Sequence, residues 1–357
     1  MRTVIFLLVI VTSVPGALGA GETQPGDNPL EWKCVWVWGS SRKDENDAIQ
    51  EAALVKSLGF NTIVLSDTSP VYRKRLIEQG HRAGLKVYLG INAGYGEWGF
   101  QEEPGVTLPP VTCLQRYDNL ETLNNPKNPD YAAHPGPWLC FDRPEVRQFV
   151  VDTARALATA YAPDGLALDF IGYKNYRGCQ CRYSRQECAK FAAAHPVLSK
   201  DDVQKEFSLE RMAAVYEDVR TAVHAINPQI KLACHTYPQF DLEPLYGNRL
   251  AVDYPAQTVA WFFKPHWPLA DVAAHCQTVK ANEHKYHAYV TGTGLIGVYL
   301  DEKCLKTPDR LRAEIRAFKT AGLRALCVAG DAAFMKDAGL ARVVSEELGG
   351  TLPAAKQ

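Results

Sequence analysis

The chain has 357 residues, and its 39 basic and 40 acidic side chains leave a formal net charge of −1. With that balance and no basic block, the sequence excludes the electrostatic footprint that nucleic-acid binding requires. Seven Trp and sixteen Tyr are generous, and aromatic faces suit sugar rings as well as they fill a core.

Residues 1–20 read as a cleaved secretory signal. Arg2 supplies the positive end, Val4 to Val11 the apolar run, Pro15-Gly16 the break, and Ala17 and Gly19 the small residues before the cut. The run is too short to cross a bilayer, which takes about 20 apolar residues. No later stretch is long and uncharged enough to do so. The expectation is therefore a secreted or periplasmic protein without a membrane span, organised as one domain over 21–350 with a tail at 351–357.

Apolar runs bounded by turn residues recur along that domain, with helical patterns between them. Strands are predicted at 34–38, 62–66, 87–91, 166–171, 230–235, 258–263 and 325–329, with one more at either 288–291 or 295–300. Strands alternating with helices argue for a parallel sheet, and this many argue for closure into a (β/α)8 barrel. The stripe Ala48, Ala52, Val55, Leu58 ends at Gly59. Asp142-Arg143-Pro144-Glu145 reads as a helix cap ahead of a stripe ending at Tyr161. Met212 to Ile226 repeats at helical spacing until Asn227-Pro228, and Thr307-Pro308 opens a helix to Thr320. Two insertions break the rhythm, at 94–139 after the third strand and at 172–205 after the fourth. In a barrel both lie on the catalytic face.

Ten cysteines in an exported chain point to disulfides. Cys179, Cys181 and Cys188 cluster in the second insertion, and Cys113 and Cys140 bracket the end of the first. The spacing C-x-C-x6-C lacks the second C-x2-C pair of many zinc sites, so stapled loops are expected, with no metal and no cofactor. Cys234 and Cys327 fall within predicted strands and read as small buried hydrophobes.

A barrel gathers the C-terminal ends of its strands around one cavity. Asp169 ends an apolar strand and is the first candidate for chemistry, since a lone acid in such a run must be paired or held by hydrogen bonds. The other strand ends and their loops offer Trp38, Asp67, Asn92, Tyr173, His235, Trp261 and Asp331 as substrate ligands, with Ser40, Lys264, His266, Asp301 and Glu302 nearby. Glycosidic hydrolysis uses two carboxylates. Glu243, on the loop after the fifth strand, is the preferred general acid beside Asp169. Asp331 and Asp67 are the next candidates. No dinucleotide-binding, phosphate-loop, zinc-protease or serine-hydrolase motif competes.

Trp138-Leu139-Cys140, then Arg143-Pro144-Glu145-Val146-Arg147, then Asp164-Gly165-Leu166-Ala167-Leu168-Asp169-Phe170 resemble a known pattern. It is that of the uncharacterised bacterial, secreted glycoside-hydrolase-like (β/α)8 barrel families. There, W-L-C-x-x-x-P-E-V-R precedes a strand D-G-I-H-L-D-Y-I-R-Y, and a C-x-C-x-x-C segment ending in Phe often follows. The present chain departs at two points. It reads Cys179-Gln180-Cys181-Arg182-Tyr183-Ser184, with serine in place of the third cysteine and with Cys188 and Phe191 further on. Gly172-Tyr173 also follows Ile171 where the pattern has Arg. The resemblance covers 138–191, and it implies the role of strand-four acid for Asp169. The expected activity is hydrolysis of a poly- or oligosaccharide. The alternative is a carbohydrate-binding or scaffold protein on a degenerate barrel, and oligomeric state is not legible.

Overall fold

The structure is a computed structural model. It describes residues 29–38, 44–66, 69–92, 103, 105–116, 137–169, 171–173, 178–236, 246–260, 267–301, 304–330, 334 and 337–352. Its elements begin with β1 (Trp32–Trp38), α1 (Glu45–Ser57), β2 (Thr62–Ser66), α2 (Pro70–Arg82) and β3 (Lys86–Asn92). After the first insertion come α3 (Pro144–Tyr161), β4 (Gly165–Asp169), α4 (Arg182–Ala194), α5 (Lys200–His224) and β5 (Lys231–Thr236). The chain continues through α6 (Tyr246–Arg249), β6 (Tyr254–Ala260), α7 (Leu269–Ala281) and β7 (Thr293–Gly297). A small antiparallel pair, β8 (Tyr299–Asp301) and β9 (Cys304–Leu305), precedes α8 (Pro308–Thr320), β10 (Ala325–Ala329) and α9 (Ala338–Leu348).

Eight parallel strands close into a barrel in the order β1-β10-β7-β6-β5-β4-β3-β2. The period-2 alternation of each strand sorts its side chains between two cores. Val35, Ile63, Leu89, Leu166, Leu232 and Val328 pack outward among the helices. Trp32, Trp36, Val64, Tyr88, Leu295 and Cys327 fill the interior, where alanines at 167, 233, 256 and 325 leave room for the large rings. Gly165 belongs to the same fit: a Cβ there would lie 2.5 Å from the Tyr88 ring. At the N-terminal end Trp32 stacks flat on Tyr254 at 4.5 Å between ring centroids, closing the bottom of the barrel.

Local signals set the helix ends. Ser69, Ser199 and Thr307 accept hydrogen bonds from the first-turn amides of α2, α5 and α8, and proline opens α2 and α8. Asp44 and Asp47 form a reciprocal cap on α1, and Gly59 follows that helix with φ +88°.

Three expectations are corrected. The cap of α3 is Arg143, which makes no side-chain cap bond, and Asp142 instead accepts the Tyr173 hydroxyl at 2.6 Å. The sixth strand runs Tyr254–Ala260, earlier than the apolar window 258–263. The second insertion is largely helical, holding α4 and the start of α5. The seventh strand falls at Thr293–Gly297, overlapping the second of its two expected positions, 295–300. No helix of the described residues is long and apolar enough to cross a membrane.

Candidate active site at the C-terminal ends of the strands

The inward row that carries Trp36, Ala167, Ala233 and Ala256 continues, at the C-terminal ends, into Ser66, Asn92, Asp169, His235 and Thr258. The parallel registers set Asn92 beside Asp169 and Trp38 beside Ser66. Alternation on five different strands thus brings five polar side chains to one end of the barrel, the end on which enzymes of this fold work.

Asp169 is 1% exposed and His235 6%. The two meet through Asp169 Oδ1 and His235 Nδ1 at 3.2 Å. On its other edge the ring meets Thr258 Oγ1 from its Nε2 at 3.0 Å, and that hydroxyl also lies 3.0 Å from the carbonyl of Thr236. The ring thus links the Asp169 carboxyl to the Thr258 hydroxyl and, through it, to the backbone of β5.

Beneath His235 lies the Trp36 ring, 6.1 Å between centroids and tilted 60°. Its indole N–H donates to Ser66 Oγ at 3.1 Å, which a glycine at position 90 on the next strand makes room for: a Cβ at Gly90 would sit 2.1 Å from that oxygen. Behind the strand, Tyr216 of α5 donates to the carbonyl of Ile171 at 3.4 Å. Burial raises its phenol well above the usual range, and the nearby Cys234 and Asp169 add to this, so it stays a neutral donor.

The structure brings Asp169, Asn92 and His235 together, as expected from their strand positions. Tyr173 is buried beside them in sequence but turns to Asp142, whose carboxyl is raised by burial against the hydrogen bonds from Ser184 and Tyr173. The end of β1 carries Trp38, whose side chain is not among the described ones. Asp67, Glu243, Trp261 and Asp331 lie outside the described residues, as do Ser40, Lys264, His266 and Glu302. Trp36, Ser66 and Thr258 were not anticipated. The signal for Trp36 was its parity with Trp38, and that for Ser66 its place at the end of β2.

A second cluster lies beside this site. Cys140, just before α3, meets Cys179 and Cys181, on the chain leaving β4, with all three sulfurs within 4.8 Å of one another. Cys140 and Cys181 are 3.9 Å apart, nearly twice the roughly 2.05 Å of a disulfide bond. Among the described residues nine cysteines are free, Cys113 and Cys188 included, so the expected stapling of the loops is not formed there. The Cys181 thiol is driven far below its ordinary value by hydrogen bonds from Cys140 and then Cys179. Cys140 is driven far up by its bonds to Cys179 and Cys181 and by burial.

No protein-family model and no curated protein matches the sequence. Solved structures do resemble the fold. The PgaB (BpsB) glycoside hydrolase domain from Bordetella bronchiseptica superimposes with a TM-score of 0.61 at 13% identity, over 91% of this chain and 100% of that one. A catalytic mutant of Gan42B, a GH42 beta-galactosidase from G. stearothermophilus, gives 0.56 at 13% identity over 94% of this chain and 59% of its own. A beta-galactosidase from Rahnella sp. R3 gives 0.56 at 13% identity, over 92% of this chain and 56% of its own. The chain thus spans a little over half the length of these two galactosidases. The likeness is one of fold, a (β/α)8 barrel.

Proposed function

We propose that the protein is an exported glycoside hydrolase in which Asp169 is the nucleophile or base and Glu243 the general acid. The observation that carries this reading is the Asp169–His235–Thr258 chain. A carboxylate on the inward row of β4, at the end of the barrel where substrates bind, is held by an imidazole whose far edge is itself anchored. Such anchoring fixes the carboxylate's orientation before substrate arrives, which is where most of a catalytic group's advantage arises. Asn92, in register beside it, is suited to hydrogen-bond a sugar hydroxyl. Export is supported by the signal pattern in residues 1–20.

The role of Glu243 is supported by strand order. It lies on the loop that follows β5, the strand paired with β4 and the source of His235. A general acid needs a site that keeps it protonated, and a carboxylate held close to it would supply one. Trp38, Asp67, Trp261 and Asp331 are assigned to the sugar subsites on the same positional ground, while Tyr173 is taken up by Asp142; the fold likeness to glycoside hydrolases is consistent with a carbohydrate substrate.

The test is a panel of polysaccharides and aryl glycosides. Turnover of one of these by wild type and none by Asp169→Asn supports the reading. Glu243→Gln is expected to lose most activity on substrates with poor leaving groups and least on activated aryl glycosides, which need little protonation. Equal losses on both classes remove Glu243 from the role.

A further inference from the structure

We propose that Cys140, Cys179 and Cys181 bind one zinc ion, with the Ser184 hydroxyl at the fourth corner of the site. This goes beyond the hydrolytic reading and stands whether or not Asp169 is catalytic. A tetrahedral ion with zinc–sulfur bonds of about 2.3 Å separates its sulfurs by about 3.8 Å. Cys140 and Cys181 are 3.9 Å apart, and the third sulfur is within 4.8 Å of both. Ser184 Oγ lies 3.3 Å from the sulfur of Cys140 and 3.2 Å from that of Cys181, hydrogen-bond distances that also leave it placed at the open corner of the three sulfurs. An iron–sulfur cluster would hold its cysteines farther apart, so the site fits a single ion.

Backbone donors point at two of the sulfurs. Backbone amides of Arg116 and Cys181 donate to the Cys179 sulfur at 3.3 and 3.4 Å, and the amide of Ser184 donates to Cys181 at 3.4 Å. Cys181 is the cap residue of α4, so its sulfur sits at the positive end of that helix. The Arg143 guanidinium is near enough to Cys181 to interact with its charge, which would offset part of what three thiolates leave on a divalent ion. Behind the fourth corner Asp142 accepts the Tyr173 hydroxyl at 2.6 Å and lies close enough to Ser184 to affect its own ionisation, a position like that of the outer carboxylate with which metal sites orient a ligand.

The ion would join two loops of the catalytic face. Cys140 directly follows the Leu114–Leu139 bridge that closes the first insertion, and Cys179 and Cys181 lie on the chain leaving the Asp169 strand. Gln115 already spans the same gap, donating to the carbonyls of Leu139 and Gly172 at 2.8 and 2.7 Å. An odd number of sulfurs in mutual contact suits a metal better than a disulfide, which leaves one thiol over.

The full chain, expressed in zinc-supplemented medium and purified without chelator, is to be measured by inductively coupled plasma mass spectrometry. One zinc per chain is expected, falling to background in Cys140→Ser and in Cys181→Ser. Ser184→Cys is expected to keep the ion and release it to a chelator more slowly than wild type. Should the cysteine variants fail to fold, cobalt(II) added to zinc-stripped wild type is decisive. Thiolate-to-cobalt charge transfer with tetrahedral d–d bands supports the site, and a spectrum without them overturns it. No zinc in wild type, copper or iron in its place, zinc retained without Cys181, or a disulfide between any two of the three by non-reducing peptide mapping would each overturn the proposal.

Discussion

The two ends of the barrel each bury an aspartate, and they hold it by different means. At the N-terminal end Asp253, 3% exposed, accepts from Arg220 at 3.2 Å, from Lys231 at 2.8 Å and from the amide of Leu232 at 3.0 Å. Two cations and a backbone donor meet its charge. At the other end Asp169 faces His235, whose far edge is held by the Thr258 hydroxyl and, through it, by the carbonyl of Thr236. One carboxylate is clamped by two cations and an amide, the other by an imidazole and its hydroxyl anchor. The first arrangement stabilises a fold. The second leaves a charge that chemistry can use.

The sharpest way to break that contrast is to neutralise each acid in turn. Asp169→Asn keeps an oxygen to accept from His235, so the melting temperature is expected to stay within a few degrees. Turnover is expected to fall by about a thousandfold or more, equivalent to about 4 kcal/mol of transition-state stabilisation. Retained activity, or a large loss of stability, would place Asp169 with Asp253 as a structural acid. Asp253→Asn leaves two cations without their countercharge. The loss from breaking a buried pair is ~3–5 kcal/mol, and about 3 is expected here because Lys231 can turn into solvent. Urea unfolding measures it, and kcat per folded molecule is expected to be unchanged.

His235 tests the contrast at an intermediate size. A hydrogen bond to a charged group contributes about 1.5–3 kcal/mol, so His235→Asn is expected to lower kcat by about ten- to a hundredfold with little change in KM. Thr258→Val, which removes only the far anchor, should shift kcat in the same direction by less. If KM rises while kcat holds, His235 binds substrate instead of positioning Asp169.

Much of this is legible in the sequence, and the exceptions have physical causes. Asp169, Asn92 and His235 were found because strand ends in a closed barrel converge and period-2 alternation points alternate residues inward. Thr258 was missed because the most apolar window, 258–263, drew the sixth strand too late. The ladder in fact starts at Tyr254 and passes through Pro255, a residue that reads as a strand breaker. Asp142 followed the pattern of a helix cap, but the pull of a buried Tyr173 hydroxyl competes with capping and wins. The cysteines were grouped by nearness in sequence, which paired Cys179 and Cys181 with Cys188. Folding replaces Cys188, whose sulfur lies 3.7 Å from Gln204, with Cys140 from across the face.

The smallest expected effect concerns the floor under His235, and it is a coupling rather than a loss. Ser66→Ala leaves the indole N–H of the buried Trp36 without its acceptor, a cost of about 1–3 kcal/mol. Gly90→Ala puts a methyl 2.1 Å from Ser66 Oγ, so that hydroxyl must rotate away and the same indole bond is lost. The two substitutions therefore remove one interaction between them. In the Ser66→Ala background the clash with the oxygen no longer exists. What remains at position 90 is contact at 3.0 Å with the Cβ of residue 66 and at 3.1 Å with the carbonyl of Leu65, tight but relieved by a small shift. The double variant should then be more stable than the sum of the single losses predicts, by about 1 kcal/mol, within the range found for residues in contact. Urea denaturation of the four proteins measures the cycle. Strict additivity would mean that Ser66 is not the group Gly90 makes room for, and that the Trp36 ring beneath His235 is held by packing alone.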